Sequence, residues 1–477
     1  MRLALPALIC FGSGFLLVRI GWRRRAASIS DYVFQVSLSV GFGLGIFSVV
    51  YFLALLLGVT HLIAADVSGF GLLLVSAFLL RTRATAAAAV PERSDDQPAW
   101  LPRVLTGSFV IALCAALYAA VMRTLAYPHG DGWDAFAIWN LHARFLFRGG
   151  LHWRDGFTAL LPWSHPDYPL LLPAAIAHFW SYLGRDSPAV PAAIGFLFTF
   201  STVGLLFSAL SMLRGRTPAL LGATALLATP SFIEQGTAQY ADIPLSFFFL
   251  ASIALICLHD RPTESDPSQG FSGFLVLAVL AAACSAWTKN EGLLFLCAIV
   301  PASVITRMRN RVSPQNWTTR ARSIAPLLIA IAPALVLIAY FKDFVAPPGD
   351  LFSDPTTMLR KLITPARYWA VVQWYGKEFF RFGRWLLIPG TLLLIGFYFA
   401  AEKKHDAQSQ TGIRTSFLAL ILTLAGYFVI YLITPYDIYW HLRFSLTRLF
   451  LQLWPSAIFL LFLVVDLRVP RPQATST

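Results

Sequence analysis

The chain has 477 residues, of which 57% are hydrophobic and 13% are charged, and its mean hydropathy is +0.65. Soluble globular proteins are roughly 45–50% apolar and about 25% charged, so this composition excludes a soluble enzyme. The formal net charge of +13 arises from 37 basic and 24 acidic residues. The basic residues concentrate in short connections between apolar runs, as expected for loops that face an anionic cytoplasmic leaflet, and they imply no nucleic-acid partner.

Apolar runs of bilayer length recur from end to end and predict an all-α, polytopic membrane protein with about thirteen transmembrane helices. Helices are expected because lipid offers no hydrogen-bond partner to a free backbone group, and the alternation typical of a barrel is missing from the sequence. We interpret residues 3–20 as a retained span rather than a signal peptide, because Arg23, Arg24 and Arg25 follow at once. The predicted spans lie at 3–20, 33–57, 62–80, 104–125, 189–213, 218–233, 242–258, 271–288, 291–306, 324–345, 385–401, 415–434 and 448–466.

The basic residues of the short loops predict which ends of these helices share a side. That side is expected to be the cytoplasm. The residues concerned are Arg23, Arg24, Arg25, Arg81, Arg83, Arg93, Arg103, Arg214, Arg216, Arg307, Arg309, Arg311, Arg320, Arg322, Lys403, Lys404, Arg414, Arg468 and Arg471. The opposite side then receives 127–188, 234–241, 346–384 and 435–447. An alternative count makes 168–184 a full span, but it would move Arg214 and Arg216 outside, so we expect 168–184 to lie along the outer membrane surface.

The outer loop 127–188 holds five of the nine histidines and five aspartates in a chain that otherwise avoids charge. Polar residues in such chains concentrate at functional sites. The loop opens with HGDGWDAFAIWNLHARFLF, and the spacing from Trp133 onward predicts a helix lying in the membrane interface. Asp131 and Asp134 have two interpretations: Asp131 caps this helix with Asp134 at its third position, or one of the two carboxylates is a general base.

The loop closes with His165-Pro166-Asp167-Tyr168-Pro169, where the two prolines predict an extended turn. His165, Asp167 and His129 are a conceivable metal-ligand set. Histidines and aspartates in an unpatterned loop are more often simply hydrated. The sequence therefore leaves a metal ion open.

Further polar residues lie where predicted helices reach the same face. They occur in Glu234–Asp242, in Lys289-Asn290-Glu291, and in a third segment with Asp437, His441, Arg443 and Arg448. Each charge would cost about 2.5–3.5 kcal/mol at the bilayer centre, so each is expected to face water or a partner. Lys289 and Glu291 suit an ion pair that caps a helical hairpin. Arg448 suits either an interfacial anchor or a clamp that holds a phosphate through paired hydrogen bonds.

The order of these motifs resembles a known plan. GDGWD, HPDYP, the basic turn Arg214-Gly215-Arg216, QYADIP and WTKNEG follow one another as in the GT-C glycosyltransferases. The nearest resemblance is to bacterial members related to protein O-mannosyltransferases, aminoarabinose transferases and lipopolysaccharide-core galacturonosyltransferases. It covers 104–311, with a weaker similarity at 435–455. Asp167 stands where that family has a second proline, and three helices precede the usual first span.

The resemblance implies three regions in an all-α, GT-C-like membrane protein with interfacial helices in its first large outer loop. Residues 1–103 would be extra N-terminal helices. Residues 104–311 would form the catalytic membrane core with outer loop 127–188. Residues 312–477 would form the C-terminal helices with outer loops 346–384 and 435–447.

The implied activity is transfer of a sugar from a polyprenyl-phosphate donor to an extracytoplasmic glycan, lipid or protein acceptor. The implied location is the bacterial inner membrane, with the site facing the periplasm. By position, the first-loop acidic residue corresponds to Asp131 or Asp134, the end of that loop to His165 and Pro166, and the second acidic residue to Asp242.

The chemistry required of such a site matches the residues present. A lipid-phosphate leaving group needs cations, and an acceptor hydroxyl needs a carboxylate base on the opposite side, which predicts inversion at the anomeric carbon. Asp134 or Asp131 would be the base. The expected substrate-binding residues are His165, Asp167, Asp242, Lys289, Glu291, Arg443, Arg448 and His441. No cofactor is required, although a divalent cation stays open.

The alternative class is a secondary transporter or a lipid or oligosaccharide flippase. Transporters usually place ionisable residues near the bilayer midplane and often show internal repeats. Here most polar residues lie at one predicted face and no repeat is visible, which favours the transferase. A polymerase, a ligase and a noncatalytic membrane subunit are weaker alternatives.

Overall fold

The computed structural model describes residues 2–22, 28–59, 61–81, 98, 100–260, 273–309, 317–352, 354–385, 390–403 and 410–467. Within these residues the chain forms eighteen α-helices, which confirms the all-α prediction. Their bounds are α1 Ala4–Gly21, α2 Ile29–Leu57, α3 Leu62–Arg81, α4 Trp100–Ala126, α5 Asn140–Arg148, α6 Leu171–Leu183, α7 Ala189–Arg214, α8 Arg216–Leu227, α9 Pro230–Thr237, α10 Asp242–His259, α11 Gly273–Thr288, α12 Asn290–Arg309, α13 Trp317–Phe344, α14 Pro355–Leu362, α15 Pro365–Arg381, α16 Gly390–Ala400, α17 Gln410–Ile433 and α18 Ile438–Val464.

Shorter elements connect these helices. A π-helix, Ala135–Trp139, runs directly into α5. Two strands of two residues each, Glu402–Lys403 and Val465–Asp466, pair antiparallel. Short 3₁₀ helices complete the connections at Gly150–Phe157, Pro162–Ser164, Asp350–Phe352 and Phe382–Arg384.

The described helices support a membrane protein with fewer certain spans than predicted. Eight helices are long and apolar enough to cross a bilayer, namely α1, α2, α3, α4, α7, α10, α17 and α18. Four further apolar helices, which include α6 and α11, are shorter than a full span. The count of about thirteen spans is therefore not confirmed, although an all-α membrane protein is.

One predicted span is broken by local sequence. The run 218–233 forms two helices, α8 and α9, because Pro230 lacks a backbone N–H and starts a new helix at its first position. Neither piece is long enough to cross a bilayer. The segment 168–184, expected along the outer membrane surface, contains α6. Residues Leu171–Trp180 of α6 are all buried against neighbours that include α2 and α5.

Helix α10 occupies the centre of the bundle. In the 18-residue apolar stretch of α10, 94% of the residues are buried inside the protein, against 6% in α3 and 11% in α4. Its neighbours include α2, α7, α11, α17 and α18. The N-terminal segment belongs to the same packed unit, because α2 packs on α6 and α7. The division at residue 103 stays a prediction.

Helices α1 and α2 make backbone contact through small residues. A Cβ on Gly14 would lie 2.1 Å from the Ser39 carbonyl oxygen, and one on Gly43 would lie 2.4 Å from the Cys10 carbonyl oxygen. Larger side chains would force the two helices apart. Small residues permit this close approach wherever membrane helices pack on one another.

The connecting segments form two groups at opposite ends of the long helices α7 and α18. At one end, Gln239 Nε2 donates to the Pro128 carbonyl at 3.0 Å, and Tyr436 Oη donates to Asp350 Oδ2 at 2.8 Å. At the other end, Arg214 Nη2 donates to the Val465 carbonyl at 2.6 Å. The four segments predicted to share one face thus have members in mutual contact at one end.

Some of the residues behind the predicted orientation cannot be placed. Arg23, Arg24, Arg25, Arg83, Arg93, Arg311, Lys404, Arg468 and Arg471 lie outside the described residues. So do most of the residues in the polar stretches between predicted spans at 84–100, 260–270 and 402–412. The sidedness of the protein in a membrane therefore stays a prediction.

Candidate functional site

Five charged side chains form a continuous network where α10, α12 and α18 meet the segment after α4. Arg448 Nη1 lies 2.7 Å from Asp134 Oδ2, and Arg448 Nε donates to Asp242 Oδ2 at 2.7 Å. Lys289 Nζ lies 3.3 Å from Asp242 Oδ1 and 2.8 Å from Glu291 Oε1. We call Asp134, Arg448, Asp242, Lys289 and Glu291 the charged network.

Helix ends position most of this network. Asp242 is the first residue of α10, and Glu291 lies in the first turn of α12. A carboxylate is favourable there because the helix dipole leaves partial positive charge at the N-terminus. Lys289 occupies the break between α11 and α12, so its side chain can reach both carboxylates.

The network is closed at one end and open at the other. The Asp242 side chain is fully buried, Lys289 is 5% exposed, and Asp134 is 20% exposed. A buried carboxylate needs compensating partners, and Asp242 has three of them in Arg448, Lys289 and Gln452. Solvent or a substrate can therefore reach the network at Asp134, while Asp242 holds the two cations in place.

Neutral side chains complete the surroundings of Asp242 and Arg448. Gln452 Nε2 donates to Asp242 Oδ1 at 2.6 Å, and Tyr427 Oη donates to Gln452 Oε1 at 2.6 Å. The guanidinium carbon of Arg448 lies 4.8 Å from the centre of the Tyr240 ring, a favourable cation–π distance. These contacts restrict the orientation of Arg448.

Strained backbone surrounds the open end of the network. Gly132, two residues before Asp134, has φ +100°, and a Cβ there would lie 2.5 Å from Tyr240 Oη. Gln239 and His165 have φ 61° and 48°, values that non-glycine residues rarely adopt. Such conformations cost energy and cluster at functional sites, which supports a site at this position.

The HPDYP turn lies beside the network and is fixed by α12 and α13. Asn290 Nδ2 donates to Asp167 Oδ2 at 2.7 Å, and Lys342 Nζ donates to Asn290 Oδ1 at 2.7 Å. The His165 and Tyr168 rings stack at 4.7 Å, and the Tyr168 ring centre lies 5.6 Å from Lys289 Nζ. Asp167 is thus tied to the WTKNEG segment that supplies Lys289.

Burial keeps several groups near the network neutral. It lowers the pKa of His165, and the neighbouring Asp167 opposes this shift only in part. Burial and the adjacent Asp134 raise the pKa of Tyr240 to about 12. At neutral pH His165 can therefore accept or donate a hydrogen bond without carrying charge, and Tyr240 remains a phenol.

The structure assembles most of the predicted site residues, and two, Asp131 and Arg443, stand apart. Asp131 pairs with Arg123. Arg443 is exposed, and its guanidinium lies 5.7 Å from the ring of Phe444. His441 Nδ1 is 2.8 Å from Thr434 Oγ1. The His441 ring is also close enough to His165 and Lys289 for electrostatic interaction.

The simpler interpretations of the charged residues fare differently. Asp134 is the N-cap residue of the π-helix, and its side chain makes no capping hydrogen bond but pairs with Arg448. The interpretation in which Asp131 caps the helix stays a prediction. The Lys289–Glu291 ion pair at the hairpin is confirmed. Arg448 is only 17% exposed and paired with two aspartates, so the interpretation as a simple interfacial anchor is wrong.

The conceivable metal set is not assembled. Among the described residues, no group of three or more histidine, cysteine, aspartate or glutamate side chains is arranged to hold a metal ion. His165 instead stacks on Tyr168, and Asp167 accepts hydrogen bonds from Asn290 and Lys342.

Sequence reasoning missed a second cluster, formed by α2, α3 and α6. His178 Nε2 lies 2.9 Å from Asp66 Oδ2, and Tyr182 Oη donates to the same oxygen at 2.5 Å. His178 Nδ1 is 2.9 Å from the Phe47 carbonyl. We call Asp66 and His178 the buried His–Asp pair. The one available signal was an aspartate and a histidine inside apolar runs, where charge is costly.

Comparison with known proteins adds no independent assignment. No protein-family model, no curated protein and no solved structure matches this chain. The resemblance to GT-C glycosyltransferases therefore rests on the order of its motifs.

Proposed function

We propose that this protein is a membrane glycosyltransferase that moves a sugar from a polyprenyl-phosphate donor to a hydroxyl of an extracytoplasmic glycan, lipid or protein. The observation that carries this proposal is the Asp134–Arg448–Asp242 chain of 2.7 Å contacts. It places a partly exposed carboxylate and a firmly held guanidinium side by side. These are the two groups that an inverting transfer from a lipid phosphate requires.

Arg448 and Lys289 would bind the donor phosphate. Asp242 pairs with both Arg448 and Lys289 at the buried end of the network. The guanidinium of Arg448 and the ammonium of Lys289 each keep further N–H groups that can donate to a ligand. A planar guanidinium can bind two phosphate oxygens at once. The donor phosphate would compete with Asp134 for Arg448, because Arg448 Nη1 is engaged by Asp134 in the resting site.

Asp134 would be the general base, and donor binding would release it. Once Arg448 turns to the phosphate, the Asp134 carboxylate is free to take the proton of an acceptor hydroxyl. The acceptor oxygen then bonds to the anomeric carbon while the bond from that carbon to the phosphate oxygen breaks, and its electron pair leaves with the phosphate. Attack opposite the leaving group inverts the anomeric centre.

The remaining site residues would have supporting roles. His165 and Asp167 line the HPDYP turn beside Lys289 and would contact the donor sugar. Glu291 holds Lys289, and His441 approaches the same region. Asp242 is too enclosed to touch a substrate, so its role is to position Arg448 and Lys289. Asp131 and Arg443 lack contact with the charged network among the described residues.

The proposed location is the bacterial inner membrane, with the charged network facing the periplasm. Cysteine labelling tests it in a cysteine-free background. Asp155→Cys in the first outer loop should react with an impermeant reagent in intact cells, whereas Gln315→Cys should react only after lysis. The reverse pattern would place the site in the cytoplasm and contradict the proposal.

The activity test uses the purified full-length protein in lipid nanodiscs with radiolabelled polyprenyl-phosphate sugars. Label should move from the lipid to a water-soluble or acceptor-bound form. Asp134→Asn should abolish this movement, while Asp131→Asn should retain it. Donor turnover that is absent for every sugar tested, or is equal in both variants, would count against the proposal.

A second candidate is a proton-coupled transporter, which the buried His–Asp pair favours. Ionisable pairs enclosed among membrane helices are frequent in proton-driven carriers. Proteoliposomes distinguish the two functions. A carrier would move a labelled solute or lipid-linked sugar across the bilayer in response to a pH gradient without cleaving it, and Asp66→Asn would stop that movement.

A further inference from the structure

The HPDYP turn is held by a lysine that lies outside the charged network. Lys342, near the end of α13, donates from Nζ to the Asp167 backbone carbonyl at 2.5 Å, to Asn290 Oδ1 at 2.7 Å and to Asp167 Oδ2 at 3.4 Å. An ammonium group has three hydrogens, so these three acceptors account for all of its donors. Lys342 is 27% exposed but keeps no donor for a ligand, which indicates a positioning role.

Three segments of the chain converge on the carboxylate of Asp167. Asn290 Nδ2, at the start of α12, donates to Asp167 Oδ2 at 2.7 Å, and Lys342 approaches the same oxygen from α13. Gly349, in the segment after α13, lies so close that a Cβ there would be 3.1 Å from Asp167 Oδ2. One oxygen of this carboxylate is therefore fixed by groups from three different segments.

The other oxygen of the Asp167 carboxylate has capacity for a ligand. Among the described residues, the hydrogen bonds to this side chain go to Oδ2, and Oδ1 accepts none. The Asp167 side chain is 16% exposed, close to the 17% of Arg448, so both can be reached by a bound molecule. A carboxylate oxygen accepts hydrogen bonds, and Asp167 Oδ1 therefore suits a hydroxyl group.

The turn joins Asp167 to the charged network. Tyr168, the next residue, has its ring centre 5.6 Å from Lys289 Nζ, and the His165 ring stacks on Tyr168 at 4.7 Å. His165 is close enough to Asp167, Lys289 and Asp134 for electrostatic interaction with each of them. A hydroxyl held at Asp167 Oδ1 would therefore belong to the same bound molecule as a phosphate held by the network.

We infer that Asp167 binds a hydroxyl of the donor sugar through Oδ1 and that Lys342 is the residue that positions it. The inference rests on the proposed function for the identity of the ligand. It adds to the site a lysine that touches no substrate and acts through Asp167. Without the Lys342 ammonium, the carboxylate loses its charged partner and one of the two donors to Oδ2, so Oδ1 no longer keeps one direction.

Steady-state kinetics of the purified full-length protein in lipid nanodiscs test the inference, with a labelled polyprenyl-phosphate sugar as donor. Lys342→Met keeps most of the apolar stem and removes every donor. The apparent donor KM should rise about tenfold while kcat changes less than about threefold, because sugar binding weakens and the base remains. Lys377→Met is the matched control and should behave as wild type, because Lys377 is exposed on α15 and lies over the Trp374 ring.

A double-mutant cycle shows whether Lys342 acts through Asp167. Asp167→Asn removes the charge that accepts the sugar hydroxyl, so it should also raise the donor KM about tenfold. The double variant Lys342→Met/Asp167→Asn should have a donor KM within about twofold of Asp167→Asn alone, because no carboxylate is left to position. Additive increases, to about a hundredfold, would show that Lys342 acts independently of Asp167 and would overturn the inference.

Hydrogen exchange reports on the turn itself and needs no turnover. The Tyr168 N–H donates to the His165 carbonyl at 2.9 Å, and the His165 N–H donates to the Pro162 carbonyl at 3.2 Å. Both amides should exchange at least about fivefold faster in Lys342→Met than in Lys377→Met. Unchanged exchange would show that Lys342 does not hold the turn. Faster exchange with an unchanged donor KM would make the lysine purely structural, and either result overturns the inference.

A second variant covers the case in which Lys342→Met does not fold. Asn290→Ser removes the amide that contacts both Asp167 and Lys342 and keeps a residue suited to a helix start, so it should raise the donor KM in the same direction. The outcome is separable from that of the proposed function. If donor turns over and its KM does not respond, the transferase stands and the inference fails. If no donor turns over, the transferase and the sugar contact fail, and faster exchange leaves Lys342 as a structural clamp of the turn.

Discussion

The charged network and the buried His–Asp pair both enclose ionisable side chains among apolar helices, but they differ in access. The network is graded, from a fully buried Asp242 to an Asp134 side chain that is 20% exposed. The pair is closed, with Asp66 at 1% and His178 at 0% side-chain exposure. Burial of ionisable side chains is common to both. An accessible carboxylate is found only in the network.

Hydrogen bonding makes the same distinction. In the pair, a carbonyl can only accept, so His178 Nδ1 donates to Phe47, and Asp66 Oδ2 lies within hydrogen-bond distance of both His178 Nε2 and Tyr182 Oη. Every contact ties one helix to another. In the network, Arg448 Nη1 meets a carboxylate that a ligand could displace. A structural cluster and a site can thus be separated by which groups a ligand can reach.

Replacing Asp134 by asparagine is expected to have the largest effect. Asparagine keeps the size of the side chain but cannot take a proton, so the transfer rate should fall by roughly a hundredfold to ten-thousandfold. Initial rates with a labelled polyprenyl-phosphate sugar measure this, with a thermal melt to confirm folding. Asp131→Asn is the matched control, because Asp131 pairs with Arg123 outside the network. Equal rates in the two variants would remove Asp134 from the chemistry.

Removing the Asp66 carboxylate should damage stability instead of turnover. Asp66→Ala leaves the Tyr182 hydroxyl and His178 Nε2 without an acceptor, which should cost about 2–5 kcal/mol of unfolding free energy. Thermal melts of the detergent-solubilised protein measure the loss. Turnover per folded molecule should be unchanged, and Asp66→Asn should lose less because it keeps an acceptor oxygen. A stable but inactive Asp66→Ala protein would assign the pair to the chemistry, and the pair would then no longer differ in role from the charged network.

Lysine at position 448 sharpens the role of the network's guanidinium. Arg448→Lys keeps the charge but loses the planar fork, so the apparent donor KM should rise by roughly tenfold to a hundredfold. Donor titrations of the purified variant measure the shift. The control is Arg443→Lys, an exposed position on the same helix, which should behave as wild type. An unchanged donor response in Arg448→Lys would leave Lys289 as the remaining phosphate partner.

The smallest expected effect concerns a buried histidine that lacks a carboxylate in hydrogen-bond contact. Burial lowers the pKa of His142 from 6.5 to about 3, so the unfolded chain binds a proton that the folded protein does not. Folding stability should therefore fall as the pH drops below 6.5, by about 1.4 kcal/mol at pH 5.5. Melts at pH 7.5 and 5.5 should show this loss in the wild type and a smaller one in His142→Gln. Equal losses in the two proteins would exclude His142 as the source.

Much of the fold follows from hydropathy alone, because a helix that crosses a bilayer needs an apolar run of about twenty residues. Predicted runs at 33–57, 189–213 and 242–258 agree with α2, α7 and α10 within a few residues. Two features did not follow. Hydropathy does not register that Pro230, a local feature, divides 218–233 into two helices. Nor does it show that α6 is enclosed by other helices, because burial depends on partners distant in sequence.

The sequence predicted most residues of the candidate site but not which of them pair with one another. Asp134, Asp242, Lys289 and Arg448 stand out because charge in an apolar chain is costly. Arg448 pairs with Asp134 and Asp242, both more than two hundred positions away, and Lys289 pairs with Asp242 across 47 positions, which spacing cannot reveal. Gln452 and Tyr427 were missed because a single neutral polar residue in an apolar run gives no signal until its hydrogen bond is seen.

The glycine contact between α1 and α2 has a consequence for how the protein is assembled during synthesis. These helices are consecutive, so their backbones can meet before any segment of the charged network has left the ribosome. Ser48 and Tyr51 on α2 then donate to the carbonyls of Leu170 and Leu146 in the later first loop. The loop that carries Asp134 therefore packs on the α1–α2 hairpin, which is synthesised before it. The supporting helices are translated first and the site residues later.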